Sequence, residues 1–221
     1  MKVKQLRNLT VASLAVAVLA GCSTMTGSAP TTFFVTSANP GRGGDLGGLA
    51  GADAICENLA SAAGVGGRNW RAYLSTQASG STAAVNARER IGNGPWVNAK
   101  GVVIAHNLTE LHGNNNLNKE TALTESGAVV PARPDPVNKH DIMTGSRPDG
   151  TAMAAGIDAT CSNWTSSGQG GAMVGHHNRA GTSPDPAAAA SWNSSHITPG
   201  CAMPDLAKVG GAGLLYCFAA R

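Results

Sequence analysis

Cysteine is the residue type that most constrains how this chain can fold. The sequence contains five cysteines: Cys22, Cys56, Cys161, Cys201 and Cys217. No two of them have Cys-x-x-Cys spacing, which argues against a zinc-ribbon site and against a thioredoxin-type redox site. Whether they form disulfides depends on whether the chain is exported to an oxidising compartment.

The first 21 residues have the features of a secretion signal. Three basic residues precede an apolar run over residues 9–20, which is shorter than the roughly 20 residues that span a bilayer. Leu19-Ala20-Gly21-Cys22 resembles the bacterial lipobox, which implies cleavage before Cys22 and lipid on its sulfur. Ser23 resembles an outer-membrane sorting signal. We therefore expect a signal peptide over 1–21, a tether over 22–31, a domain over 32–221, and anchoring in the cell envelope at the outer membrane.

Export leaves an even number of unlipidated cysteines, which predicts two disulfides. Three pairings remain open from the residues alone. Cys56 lies on a predicted helix, residues 52–63, on the same face as Ala52, Leu59 and Ala63, so it is expected to point into the core.

Charge and composition exclude one class of partner. Three of the 16 basic residues and none of the 13 acidic residues lie in the signal, so residues 22–221 have a formal net charge of zero. No basic run or stripe is present, so we expect no nucleic-acid partner. The 29 glycines and few charges indicate tight turns and long ordered loops rather than a helical bundle.

Strand and helix signals alternate along the chain. Strands are predicted over 33–37, 70–75, 102–105, 161–165, 173–175 and 214–219, and helices over 52–63 and 83–91, with one helical turn capped by Asn107. Residues 113–159 carry little regular pattern, and 182–190 are predicted to be a loop. Loops as long as the first are usually functional or disordered.

Several short segments resemble the endostatin domain of animal collagens. Gly48 to Cys56, Trp70 to Ser75, His140 to Ser146 and Cys161 to Thr165 match its segments in order, followed by Cys201 and Leu215-Tyr216-Cys217. The resemblance implies an α+β domain of C-type lectin-like fold, with ligands bound by the long-loop side. It also implies a nested pairing, Cys56–Cys217 and Cys161–Cys201.

Two possible metal sites follow from these segments. Trp192-Asn193-Ser194 precedes Cys201 as a Trp-Asn-Asp motif does in calcium-dependent lectins, but Ser194 replaces the carboxylate that calcium needs, so calcium is a doubtful cofactor.

His140, Asp141 and His176, with His177 beside it, are weak zinc candidates. Adjacent side chains on a strand point to opposite faces, so only one of His176 and His177 is expected at any one site. The zinc site of endostatin uses N-terminal histidines that are absent here, and structural or surface histidines are the favoured interpretation.

A polar-aromatic surface is the predicted ligand site. Its candidate residues are Asn163, Trp164, His177, Asn178, Arg179, Trp192 and Asn193. Trp70, Trp96 and Trp164 are more typical of a core.

No catalytic motif is present, so we expect non-enzymatic recognition of a glycan or protein. The alternatives are a structural envelope lipoprotein that binds peptidoglycan or an outer-membrane protein, and a hydrolase or metal-dependent enzyme.

Overall fold

The computed structural model describes residues 30–220, together with the isolated Met1. The predicted lipidation site Cys22, the rest of the predicted signal peptide and most of the predicted tether lie outside this range. Among the described residues, no helix combines the length and the apolar character needed to cross a membrane.

Residues 30–220 form a mixed α/β structure of short elements. The helices are α1 (Gly48–Ala62), α2 (Ala87–Arg90), α3 (Leu108–Leu111), α4 (Cys161–Trp164), α5 (Pro186–Ala189) and α6 (Met203–Lys208). The strands are β1 (Phe33–Val35), β2 (Asn69–Ala72), β3 (Trp96–Val97), β4 (Val103–Ala105), β5 (Asp141–Met143), β6 (Met173–His176), β7 (His196–Ile197) and β8 (Gly211–Ala220).

Strand β8 lies at the centre of the main sheet. It pairs antiparallel with β1 and β2 and parallel with β5, and β6 and β7 continue the sheet beyond β5. Its side chains alternate between two buried clusters. Leu215 and Cys217 pack on the α1 side, whereas Leu214, Tyr216 and Phe218 pack on the other side with Trp96. The predicted strand over 214–219 is therefore confirmed and extends further towards its N-terminus.

The two disulfides have the nested pairing that the resemblance implied. Cys56 on α1 bonds to Cys217 on β8, and Cys161 bonds to Cys201. Cys56 is fully buried, as the helical periodicity predicts. The outer disulfide thus connects the first helix to the last strand.

A buried carboxylate joins three elements that the sequence pattern treats separately. Asp53 on α1 accepts hydrogen bonds from the backbone N of Ala72 at 2.9 Å, from Arg71 at 2.6 Å and from Arg90 at 2.7 Å. Arg90 on α2 is itself largely buried. Because an unpaired buried charge is strongly unfavourable, Asp53 and Arg90 depend on one another.

The strand predicted over residues 161–165 is wrong. Residues 161–164 have φ between 47° and 68°, which makes α4 a turn of left-handed helix. Side chains hold this conformation: Asp158 accepts from the N of Thr160 at 3.0 Å, and Asn163 accepts from the N of Gln77 at 2.8 Å. Such local side-chain to backbone bonds compete with sheet pairing.

Two other predictions need correction. The helix predicted over 83–91 is confined to α2, because the backbone of Val85 pairs with Thr76 instead. The loop predicted over 182–190 contains α5, which Asp185 caps by accepting from the N of Ala187 at 2.9 Å. The turn capped by Asn107 is confirmed, since its side chain accepts from the N of Glu110 at 2.9 Å.

Removing the outer disulfide should destabilise the fold more than removing the inner one. The bonds close loops with sequence separations of 161 and 40 residues. The chain-entropy model then gives upper estimates of about 5 and about 4 kcal/mol. Urea unfolding of Cys56→Ala/Cys217→Ala and Cys161→Ala/Cys201→Ala would measure both free energies. Equal stability of the two variants and the native chain would contradict the prediction.

Candidate functional site

The seven predicted ligand-binding residues do not share one surface. Trp164 and His177 are fully buried, and Trp192 and Asn193 are 4% and 1% exposed. The Trp164 ring packs in the core and its Nε1 donates to the carbonyl of Ser75 at 2.8 Å. The prediction of one shared polar-aromatic surface is therefore corrected: these aromatic rings fill cores, as do Trp70 and Trp96, although Arg179, Trp192 and Asn193 together line a hollow of about 360 Å³.

Asn193 supports the loop backbone rather than facing solvent. Its Nδ2 donates to the Tyr73 hydroxyl at 3.0 Å and to the carbonyls of Arg147 and Pro148 at 3.1 Å. Trp192 packs against the Tyr73 ring, with the ring centroids 4.9 Å apart. The segment that resembles a calcium-lectin motif thus braces the long-loop half from inside.

Among the other candidates, Asn178 and Arg179 follow His177 directly and contact different neighbours, whereas Asn163 lies in α4 and bonds to the backbone of Gln77. Arg179 donates to the carbonyl of Leu117 at 2.7 Å, and so ties two loops together. Asn178 contacts His140 through its side-chain oxygen at 3.2 Å. His177 lies on the opposite face from His176, and burial lowers its pKa to about 4, so the ring is neutral at pH 7.

Three histidines converge on one buried carboxylate. The Nε2 atoms of His140 and His176 lie 3.1 and 3.3 Å from Oδ1 of Asp141, and that of His196 lies 3.4 Å from Oδ2. The Asp141 side chain is fully buried, and neither of its oxygens has a hydrogen-bond partner of acceptable geometry. These four residues are called the His–Asp cluster below.

Strand register brings this cluster together. Asp141 on β5 pairs directly with His176 on β6, and His196 on β7 pairs with Val174, two residues before His176. Paired residues of neighbouring strands point to the same face. A register shift between Asp141 and Ile142 marks an irregularity at this end of β5. His140 comes directly before this irregularity. Strand alternation would place the side chains of His140 and Asp141 on opposite faces, but here both lie on the same side.

Electrostatics favour an ionised Asp141. Burial raises the pKa of this carboxyl, but the contacts from His176 and His196 outweigh burial and hold the pKa below its ordinary value. Asp141 in turn raises the pKa of His196, whereas burial lowers the pKa of His140. The cluster therefore combines a buried negative charge with imidazoles of different basicity.

Hydrogen bonds on the far side of two rings fix which nitrogen faces the carboxylate. The Nδ1 of His176 lies 2.8 Å from the carbonyl of Ala189, which can only accept, so Nδ1 carries the proton. The Nδ1 of His140 similarly faces the side-chain oxygen of Asn178. In each ring, Nε2 is therefore the nitrogen that lies on the Asp141 side.

A hollow of about 450 Å³ opens over the cluster. Its lining residues are Arg133, His140, His176, Ala180, Thr182, Ser183, His196, Lys208 and Val209. The guanidinium and ammonium groups, two hydroxyls and three imidazoles supply hydrogen-bonding groups, while Ala180, Val209 and side-chain carbons make up the larger share of the lining surface.

Sequence analysis named His140, Asp141 and His176 but missed His196. The missing signal was the short β-branched segment His196-Ile197-Thr198, which forms β7 beside β6. A strand there would have placed the third histidine next to the other two. The expectation that His176 and His177 serve different sites agrees with their positions.

Comparison with known proteins assigns the chain to no family. No protein-family model matches the chain, and a search of curated proteins finds no match. The resemblance to endostatin therefore rests on the short segments quoted above.

Replacing Asn193 should destabilise the protein rather than only weaken ligand binding. Asn193→Ala removes the amide that donates to the Tyr73 hydroxyl and to the carbonyls of Arg147 and Pro148, which costs about 1–3 kcal/mol even though the N of Gly150 still donates to Arg147. The matched control is Asn114→Ala, an exposed asparagine in the same half, for which about 0.5 kcal/mol or less is expected. Urea unfolding measures both. An unchanged unfolding midpoint for Asn193→Ala would show that its hydrogen bonds contribute nothing to stability.

Proposed function

We propose that the chain is a lipid-anchored envelope protein whose domain, of C-type lectin-like fold, binds an extracellular or envelope glycan without catalysis. The observation that supports this most directly is the hollow over the His–Asp cluster, whose lining carries cations, hydroxyls and imidazoles beside apolar carbons. Its size suits one or two sugar units. Its guanidinium, ammonium and hydroxyl groups are donors for sugar hydroxyls or for acidic substituents.

A flat protein-docking surface is less well supported. Among residues 30–220, the exposed large apolar side chains are Val102, Val129, Val137 and Ile157, of which only Ile157 exceeds 60% exposure. Stable protein interfaces usually bury a contiguous patch with aromatic anchors. The structural alternative, an envelope lipoprotein that binds peptidoglycan or an outer-membrane protein, thus becomes an outcome of the binding test.

One observation favours a second candidate, a metal-dependent enzyme. Convergent histidines and a carboxylate beneath a hollow are the arrangement that hydrolytic metal sites use. The two candidates differ in one measurable respect, because a lectin-like domain returns its bound ligand unchanged whereas a hydrolase converts it.

Binding should depend on the cations of the hollow. We expect Arg133→Ala and Lys208→Ala each to weaken binding about tenfold or more, since a hydrogen bond from a charged group contributes roughly 1.5–3 kcal/mol. Lys100→Ala, another exposed lysine outside the hollow, is the control. The full chain in detergent would be applied to an array of glycans and peptidoglycan fragments, with calcium and then with EDTA.

The array separates the candidates. Binding that both hollow variants lose supports the glycan proposal, and loss in EDTA would add a metal requirement. Cleavage of a bound glycan would support the enzyme instead. Binding to no glycan would overturn the proposal and direct the search to protein partners by crosslinking in the envelope.

Anchoring depends on Cys22. We expect Cys22→Ser to shift the protein from the membrane fraction to the soluble fraction, because a lipid chain contributes about 0.8 kcal/mol per buried methylene. Mass spectrometry of the native chain should find an N-terminal lipidated cysteine. Ser23→Ala, which leaves the cysteine in place, is the control. Membrane association of Cys22→Ser equal to that of the native chain would refute a lipid anchor.

A further inference from the structure

The buried carboxylate of Asp141 lacks hydrogen-bond donors among residues 30–220. Its side chain is fully buried and neither oxygen has a hydrogen-bond partner, although the Nε2 atoms of His140 and His176 lie only 3.1 and 3.3 Å from Oδ1. A buried carboxylate without a hydrogen-bond donor is strongly unfavourable unless a positive charge compensates it. The two imidazole rings are stacked with centroids 4.4 Å apart beside the carboxylate, so both Nε2 atoms and Oδ1 come close to one point. A cation bound at that point would compensate the buried negative charge.

We propose that His140 Nε2, His176 Nε2 and Asp141 Oδ1 bind one divalent transition-metal ion of the zinc class. The three donors lie within 4.8 Å of one another. Zinc bonds of 2.0–2.1 Å in a tetrahedral arrangement place neighbouring ligand atoms about 3.3 Å apart. The observed separations from Oδ1, 3.1 and 3.3 Å, match that spacing. Two imidazoles and one carboxylate suit zinc, whereas calcium requires six to eight oxygens.

The surroundings of the two rings resemble those of metal ligands. Metal-binding histidines usually donate their other ring N–H to a carbonyl or carboxylate, which fixes the tautomer. His176 does so to Ala189, and His140 faces the side-chain oxygen of Asn178. Gly181 lies so close to His176 that an added Cβ would sit 2.3 Å from its Cε1. The chain therefore holds the His176 ring from two sides.

His196 is assigned a positioning role. Its Nε2 lies 3.4 Å from Oδ2, the oxygen of Asp141 that the metal does not use, and its side chain is 34% exposed towards the hollow. It can therefore orient the carboxylate, while the remaining coordination position of the metal faces the hollow. A site with three protein ligands and an open position is the arrangement of zinc sites that act on a bound molecule.

Metal binding requires one ring to turn. His140 and His176 lie within 6° of parallel, so an ion in the plane of one ring lies outside the plane of the other. Rotation about χ2 aligns the second lone pair, and this torsion has a broad energy minimum. Of the two, His140 precedes β5 and has the weaker outer contact, at 3.2 Å rather than 2.8 Å, so it is the ring expected to turn.

The test measures metal binding by the full chain in detergent, with zinc and then cobalt as probes. Isothermal titration after EDTA treatment should give one site per chain. His176→Ala and Asp141→Asn should lower zinc affinity by more than about a hundredfold, and His196→Ala by about 10–100-fold, the range for residues that support a ligand. His106→Ala, an exposed histidine outside the cluster, should bind like the native chain.

Disulfide mapping and the unfolding midpoint establish whether each variant is folded. X-ray absorption of the native chain with one equivalent of zinc needs no variant, and should detect two imidazole ligands. Failure of the native chain to bind zinc or cobalt would overturn the proposal, as would unchanged affinity in folded His176→Ala and Asp141→Asn. Equal losses in His196→Ala and His176→Ala would overturn the positioning role of His196. None of these results depends on whether a glycan binds.

Discussion

The pairing of β8 with strands from both halves of the chain, together with the Cys56–Cys217 bond, is the constraint on which the remaining structure depends. Strands β1 and β2 come from the N-terminal third, whereas β5 comes from the middle, and all three hydrogen-bond to β8. None of them can complete its pairing until the end of the chain is in place. The disulfide restricts the separation of these partners in the unfolded chain, which lowers the entropic cost of closing such long loops.

Periodic segments could be predicted from the sequence because their pattern reports directly on burial. The apolar run over 214–219 lies in the two core clusters, and the helical spacing around Cys56 correctly buries Ala52 and Cys56. The same spacing places Leu59 and Ala63 on the buried face, whereas Leu59 is only partly buried and Ala60 takes the core position instead of Ala63. The left-handed turn α4 could not be predicted this way. Its conformation is set by Gln77, which is distant in sequence, and by Asp158. The same applies to Asp53, whose partners on β2 and α2 become neighbours only in the folded chain.

The residues of the candidate site could be predicted only in part, because strand alternation holds only where the strand is regular. Alternation along a strand correctly separates His176 from His177. It fails for His140 and Asp141, because the strand is irregular at that end and both side chains reach one place. The aromatic candidates were predicted from residue type and from short motif resemblances, which cannot distinguish an exposed ring from one that braces a loop. Trp192 and Asn193 are internal because buried Tyr73 packs against the Trp192 ring and accepts a hydrogen bond from Asn193.

The metal inference and the glycan proposal have related electrostatic consequences. A divalent ion bound by one carboxylate would leave a net positive charge beside the hollow, to which Arg133 would add, whereas Lys208 is already paired with Asp205 at 2.7 Å. Residues 22–221 have a formal net charge of zero, so such a concentration of positive charge would be local. A cleft lined by one sign of charge raises the local concentration of oppositely charged ligands. With the ion bound, the hollow would therefore suit a sugar that carries a carboxylate or phosphate better than a neutral one, because the acidic group could contact both Arg133 and the metal.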